Sequence, residues 1–232
     1  GRSAKFFADF ATQDILDIRE LGFDTLWIMG IFPIGKRNQS GTGGGSPYSI
    51  LDHEAVNPDL GTPEDFRGFV ERSHQAGLKV IIDFVPNHTS MDSKLLMNHP
   101  DFFLNRPADS SNPESPEKGF FTHTDPASGR KLWVRHGGYG ISGSIDFWTD
   151  TAQVDYSNES LRREMVRIVR NWVERFGVDG FRVDMAYLDL NVNFGRTWGA
   201  RMPPREFMEE LLTSVKAAPP GTVPWRFPSA GS

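Results

Sequence analysis

The sequence predicts an α/β fold, in which short buried strands alternate with amphipathic helices. Three observations carry that expectation. Residues 78–85 form an almost unbroken apolar run, as a strand covered on both faces should. Residues 161–176 place apolar side chains at helical spacing, stop at Gly177 and lead into a second strand-like stretch, 178–184. Residues 12–29 repeat the order of helix, glycine turn and strand.

Each element has a local reason. Over 12–21, Thr12 is the expected cap, Ile15, Ile18 and Leu21 the apolar face, and Gly22 the stop. Residues 23–29 read as a strand. Residues 35–49 read as a loop made mobile by Gly41, Gly43, Gly44 and Gly45. Thr62-Pro63-Glu64-Asp65 is a helix start, with Thr as cap, Pro at the first position and acids in the first turn. Phe66, Phe69, Val70 and Ser73 are its inward stripe, and Gly77 ends it.

Residues 90–150 break the rhythm. Pro, Ser, Asn, Asp and Gly are frequent, and the stretch is too long for an ordinary connection. It reads as an insertion with its own small core of Phe102, Phe103, Phe120, Phe121, Trp133, Phe147 and Trp148. A short extended piece, 151–156, follows, and Ser157 or Asn158 caps the next helix. After the strand at 178–184, residues 187–199 read as irregular. A helix is expected over about 204–217, with Phe207, Leu211, Leu212 and Val215 on its apolar face. Thr222-Val223 starts like a strand, but Pro224 and Pro228 exclude a central one, so 222–232 reads as an atypical tail.

Composition narrows the function. At 232 residues, with 38% hydrophobic and 24% charged side chains, the chain is able to form a core. A net charge of −5 and the lack of a Lys/Arg-rich run argue against nucleic acid as a partner. The absence of cysteine excludes disulfides, thiolate metal sites and a cysteine nucleophile. No run of about 18 apolar residues suggests a membrane span. The start, Gly1-Arg2-Ser3-Ala4-Lys5, does not read as a signal peptide and has no initiator Met, so the true N-terminus is expected upstream. The compartment is left open, with a cytoplasmic one favoured.

The most informative stretch is Gly180-Phe181-Arg182-Val183-Asp184. On a strand, Arg182 and Asp184 point to the same side. An apolar strand has no structural need for two charges at its end, although a plain ion pair is an equal reading of these two residues alone.

Several segments together resemble the α-amylase family of retaining glycoside hydrolases and transglycosylases. They are Ser46-Pro47-Tyr48-Ser49 with Asp52, Val56-Asn57-Pro58 and Leu60-Gly61-Thr62; Asp83-Phe84-Val85-Pro86-Asn87-His88; Gln153-Val154-Asp155-Tyr156; and Gly180-Phe181-Arg182-Val183-Asp184. They occur in the family's order and cover the chain to about Gly221. The resemblance implies part of a (β/α)8 TIM barrel, whose catalytic residues stand at the C-terminal ends of its strands. Residues 1–89 and 151–221 would belong to that barrel, and 90–150 to an inserted domain B after the third barrel strand.

The resemblance also implies roles. Asp184 would be the nucleophile and Arg182 the arginine beside it, keeping it ionised. Asp83 and His88 would bind the sugar next to the cleavage point, and Tyr48 would stack on that sugar. Asn87 and Asp155 match positions that hold calcium in many members, and no organic cofactor is implied. The partner would be an oligo- or polysaccharide of α-linked glucose; the 12% aromatic content suits such a surface but is equally explained by an aromatic-rich core. Two features depart from the family. Tyr187 and Leu188 stand where amylases carry Lys and His, which makes another glucan, a disaccharide or transfer more plausible than plain starch hydrolysis. The chain also stops before the acid/base Glu of the fifth strand and the His-Asp motif of the seventh. This chain alone is therefore expected to be inactive; the alternative is a non-catalytic or decayed member that binds sugar.

Overall fold

The computed structural model describes residues 5–40, 44–141 and 143–217. Gly41, Gly43 and the expected tail at 222–232 lie outside the described residues. In chain order the helices are α1 (Phe6–Asp9), α2 (Thr12–Glu20), α3 (Pro63–Gln75), α4 (Lys94–Asn98), α5 (Glu159–Phe176), α6 (Asn191–Trp198) and α7 (Phe207–Ala217). The strands are β1 (Thr25–Ile28), β2 (Lys79–Phe84), β3 (His88–Ser90), β4 (Asn105–Pro107), β5 (Phe120–Thr124), β6 (Lys131–Arg135), β7 (Gly137–Ile141), β8 (Ser144–Trp148), β9 (Thr151–Gln153) and β10 (Gly180–Val183). Among the described residues, no helix is long and apolar enough to cross a membrane.

The frame is a parallel sheet in the order β1-β2-β10. Its register places Trp27 beside Ile81 and Gly180, and Asp83 beside Arg182. Paired residues share a side and successive residues alternate. Leu26, Ile28, Val80, Ile82, Phe84, Phe181 and Val183 therefore form one face, packed against the stripes of α3 and α5 and buried along β2. Trp27, Asp83, Arg182 and Asp184 belong to the other.

The helices that cover the sheet are set by their ends. Thr62 Oγ1 accepts from Asp65 N at 3.1 Å, and Asp65 Oδ2 accepts from Thr62 N at 2.8 Å. This reciprocal cap stabilises such a helix start by about 1 kcal/mol. Phe66, Phe69, Val70 and Ser73 are all buried below it, as their spacing requires. Asn158 caps α5, and Gly177 ends it at φ +71°, a left-handed conformation that suits glycine. Trp172 packs edge-on against Phe66 and Phe32, which locks α5 onto α3.

Between β2 and α5 the chain builds three small antiparallel sheets: β3-β9, β4-β6-β5 and β7-β8. Their apolar residues do not form a core apart. Phe102, Phe103, Phe121, Leu132 and Val134 join one contiguous cluster with the parallel sheet and its helices. Trp133 is buried as expected, but Phe120, Phe147 and Trp148 are only half-buried, because they face outward or towards the cleft described below.

Other local expectations also change. Thr12 is the first residue of α2 rather than its cap. The free N–H of Ala11 is instead held by the Asp14 carboxylate at 2.9 Å. Leu21 and Leu212 are exposed: Leu21 stands just past the end of α2, and Leu212 lies off the buried stripe of α7. Residues 187–199 are not irregular: a 3-10 turn, Ala186–Asp189, is followed by α6, anchored by the fully buried Phe194. The expected helix at 204–217 begins at Phe207.

Candidate active site

The ends of β2 and β10 converge on one guanidinium. Arg182 Nη1 donates to Asp184 Oδ1 at 2.7 Å and to Asp83 Oδ1 at 3.3 Å. Asp83 is 2% exposed and receives two more donors, Trp27 Nε1 and the Gly30 N–H, each at 3.3 Å. The Arg182 guanidinium also lies 5.4 Å from the Trp27 ring centre and 5.5 Å from that of Tyr48. One cation thus bridges two carboxylates between two aromatic faces, a geometry that suits a planar guanidinium and not an ammonium.

The electrostatics differ in one respect from the sequence expectation. Burial pushes the Asp184 carboxyl above the ordinary Asp range. Arg182 pulls it back down, while the Asp83 charge adds to the rise. The arginine therefore offsets a desolvation that outweighs it, rather than setting a low value. On Arg182, burial alone would lower the guanidinium, but Asp184, Tyr48 and Asp83 together outweigh it and the group stands above its ordinary range.

His88 is buried, and burial followed by the nearby His53 brings it to about 4, so it is neutral at pH 7. Its Nδ1 lies 3.2 Å from Asn87 Nδ2, and its ring packs at 5.0 Å against Trp148. Tyr48 is half-buried, and its hydroxyl is raised by burial and then by the charge of Asp83.

Asp184, Tyr48 and His88 open into a cleft of about 450 Å³. Its far side is built by Phe147, Trp148, Asp150 and Thr151, none of which sequence reasoning had placed at a site. Asp150 accepts from Ser40 Oγ at 2.8 Å, and its carbonyl accepts from Ser49 Oγ at 3.0 Å, which ties that side to the loop carrying Tyr48. Met185 also lines the cleft, with φ +49°, an unusual well for a residue with a side chain. The turn is pinned on both sides: the Asp184 N–H donates to the Phe84 carbonyl and the Leu188 N–H to that of Met185. The available signal was indirect, a pair of aromatics at 147–148 next to an acid.

Asn87 and Asp155 each spend one side-chain oxygen on an internal hydrogen bond. Asn87 Oδ1 accepts from Gln153 Nε2 at 3.1 Å, and Asp155 Oδ1 accepts from Ser157 N and Oγ at 3.0 and 2.6 Å. Among the described residues no three His, Asp or Glu side chains cluster to hold a metal. The oxygens left over nearby are the neutral Gln153 Oε1 and the Asp155 Oδ2, one charge between them. This donor set does not fit a cation that takes six to eight oxygens.

Comparison with known proteins decides the family. A model of the α-amylase catalytic domain matches residues 12–194, most of the chain and every residue of the cluster above. The chain belongs to the α-amylase family. It is 32% identical over 177 residues to alpha-amylase 3 of Dictyoglomus thermophilum, covering 75% of this chain and 31% of that one. It is 28% identical over 225 residues to the 1,4-alpha-glucan branching enzyme GlgB of a Synechococcus strain, covering 94% and 25%. Among solved structures, an alpha-amylase from Lactobacillus plantarum superposes with a TM-score of 0.62 at 30% identity, over 91% of this chain and 39% of that one. The fold is thus that of the α-amylase catalytic domain, whose relatives are TIM-barrel proteins. The chain spans about a quarter to a third of the curated relatives just described.

Proposed function

We propose that this α-amylase family chain carries the nucleophile half of a retaining site for α-linked glucose. The observation that carries the reading is the single Arg182 guanidinium shared by Asp184 and Asp83 at the ends of adjacent parallel strands, with Asp184 facing the cleft. In this reading Asp184 attacks the anomeric carbon and forms a glycosyl ester. The leaving oxygen departs with the bonding pair and takes a proton from a second carboxyl. Neutral His88 and Asp83 hold the hydroxyls of the attacked sugar, and Tyr48 stacks on its ring. Water or another sugar hydroxyl then releases the ester, giving hydrolysis or transfer. No step passes through a metal.

The same reading assigns 1–89 and 151–221 to a TIM barrel and 90–150 to its inserted domain B. The open face of the parallel sheet supports this. Trp27 and Met29 are 49% and 56% exposed there, a surface that further barrel strands would cover. It also assigns the acid to a segment beyond these residues, so the chain alone should not turn over maltooligosaccharides.

The test uses a leaving group that needs no acid. With α-maltosyl fluoride, the chain should acquire a maltosyl group on the peptide containing Asp184, detected by mass spectrometry. Asp184→Asn should lower the yield by on the order of 10⁴-fold. An adduct on another residue, or one that survives Asp184→Asn, would overturn the assignment. Saturable sugar binding with no adduct would favour a binding module instead.

A further inference from the structure

A second pocket lies on the outer face of the β4-β6-β5 sheet. It has a volume of about 170 Å³ and is lined by Leu104, Asn105, Arg106, Phe120, Arg135 and Trp198. The register explains why these side chains meet. Arg135 pairs with Phe120, and Arg106 with Trp133 two residues earlier on the same strand. All four therefore project from one side of the sheet, while Phe121, Leu132 and Val134 fill the core on the other. Trp198, the last residue of α6, completes the lining.

The charges of this pocket are unbalanced. The Arg135 guanidinium lies 4.0 Å from the Phe120 ring centre and 5.7 Å from that of Trp198. Among the described residues it has neither a side-chain hydrogen bond nor an ion pair. Arg106 lies 4.5 Å from the same Phe120 ring and pairs with Glu117, while its Nε is buried without a hydrogen-bond partner. Two guanidiniums thus share one ring and one carboxylate, inside a chain whose net charge is −5. Burial and then the Arg106 charge pull Arg135 below its ordinary range, and the Glu117 charge offsets them only in part.

A half-buried guanidinium whose nearest carboxylate is already paired with a second arginine is under-compensated, and its geometric complement is an oxyanion held by two parallel N–H bonds. The Phe120 and Trp198 rings add flat apolar surface of the kind that stacks on a sugar ring. The cavity is smaller than the roughly 300–1,000 Å³ of a typical drug-sized site, which limits it to one small unit.

We propose that this pocket binds a sugar phosphate, with Arg135 holding the phosphoryl oxygens and Trp198 facing the sugar ring. The inference does not depend on the role of Asp184. Titration calorimetry at constant ionic strength tests it on the 232-residue chain, with glucose 6-phosphate, glucose and inorganic phosphate as ligands. Glucose 6-phosphate should bind more tightly than either of the others. Arg135→Gln should weaken it about tenfold or more while leaving maltotriose binding unchanged. Inorganic phosphate binding as tightly as glucose 6-phosphate, or glucose 6-phosphate binding equally well to Arg135→Gln, would overturn the proposal. Should that variant fail to fold, Trp198→Leu decides. It should erase the preference for glucose 6-phosphate over phosphate, and a preserved preference refutes the site.

Discussion

Asp184, Arg182 and Asp83 stand at the ends of parallel strands, whereas Phe147 and Trp148 stand on an antiparallel hairpin across the same cleft. The strand ends have little freedom. Their other face packs on the core, their register is set by a third strand, and both Asp83 oxygens and Arg182 Nη1 have named partners. The hairpin of β7 and β8 is a two-stranded sheet, and it closes only because glycines line it. A Cβ on Gly138 would sit 2.3 Å from the Asp146 carbonyl oxygen, and one on Gly137 would sit 2.5 Å from Thr151 Oγ1. The difference teaches a division of labour: the charged cluster sits where packing leaves one arrangement, and the aromatic wall of the cleft sits where a few residues can be changed without touching the core.

Several substitutions would break or sharpen that comparison. The largest effect should come from Phe103→Ala. Phe103 is 2% exposed and belongs to the cluster shared by both regions, so the loss should be about 3–5 kcal/mol. Denaturant curves followed by far-UV and near-UV circular dichroism should still coincide. Separate transitions would show that the small sheets and the parallel sheet are independent after all.

Asp189→Asn comes next, and its sign depends on pH. Asp189 is 1% exposed, and neither carboxyl oxygen has a hydrogen-bond partner. Burial, and then the charge of Asp184, hold its carboxyl well above the ordinary Asp range. The folded chain therefore binds a proton that the unfolded chain releases, and stability should fall as pH rises from the ordinary Asp value towards the raised one. Asn cannot ionise, so the variant should gain about 1–3 kcal/mol at neutral pH and nothing at acid pH. A gain that is the same at both values would refute the account.

On the hairpin, Trp148→Ala should weaken maltooligosaccharide binding by ~0.5–1.5 kcal/mol, roughly two- to tenfold, and leave the melting temperature nearly unchanged. A large drop in stability would place Trp148 with the fixed side of the cleft. The smallest effect is expected from chelation. Asn87 Oδ1 and Asp155 Oδ1 serve internal hydrogen bonds, so EDTA should not shift the melting temperature, and a clear downward shift would restore calcium to the site.

The same contrast explains what the sequence disclosed. The period of two along 180–184 put Arg182 and Asp184 on one side, and the pair is hydrogen-bonded. Thr62, Pro63 and Asp65 announced α3, because capping acts over three residues and needs no tertiary context. Helix α6 was hidden, since Asn191-Val192-Asn193-Phe194-Gly195 combines poor helix formers and depends on one buried phenylalanine. Trp148 was hidden for a related reason: an aromatic in a glycine-rich stretch is assigned to a core until the hairpin's register is known. The raised carboxyl of Asp184 was also out of reach, because it depends on burial, which the sequence of one strand does not contain.

Met185 carries one more consequence. A residue with a side chain stands in the left-handed well at a cost of about 1–3 kcal/mol, and it does so immediately after Asp184. Glycine would occupy that well freely, but it would also let the turn sample many other shapes. The methionine restricts the peptide behind the carboxylate to one narrow path, so the chain gives up some thermal resilience in exchange for steadier aim.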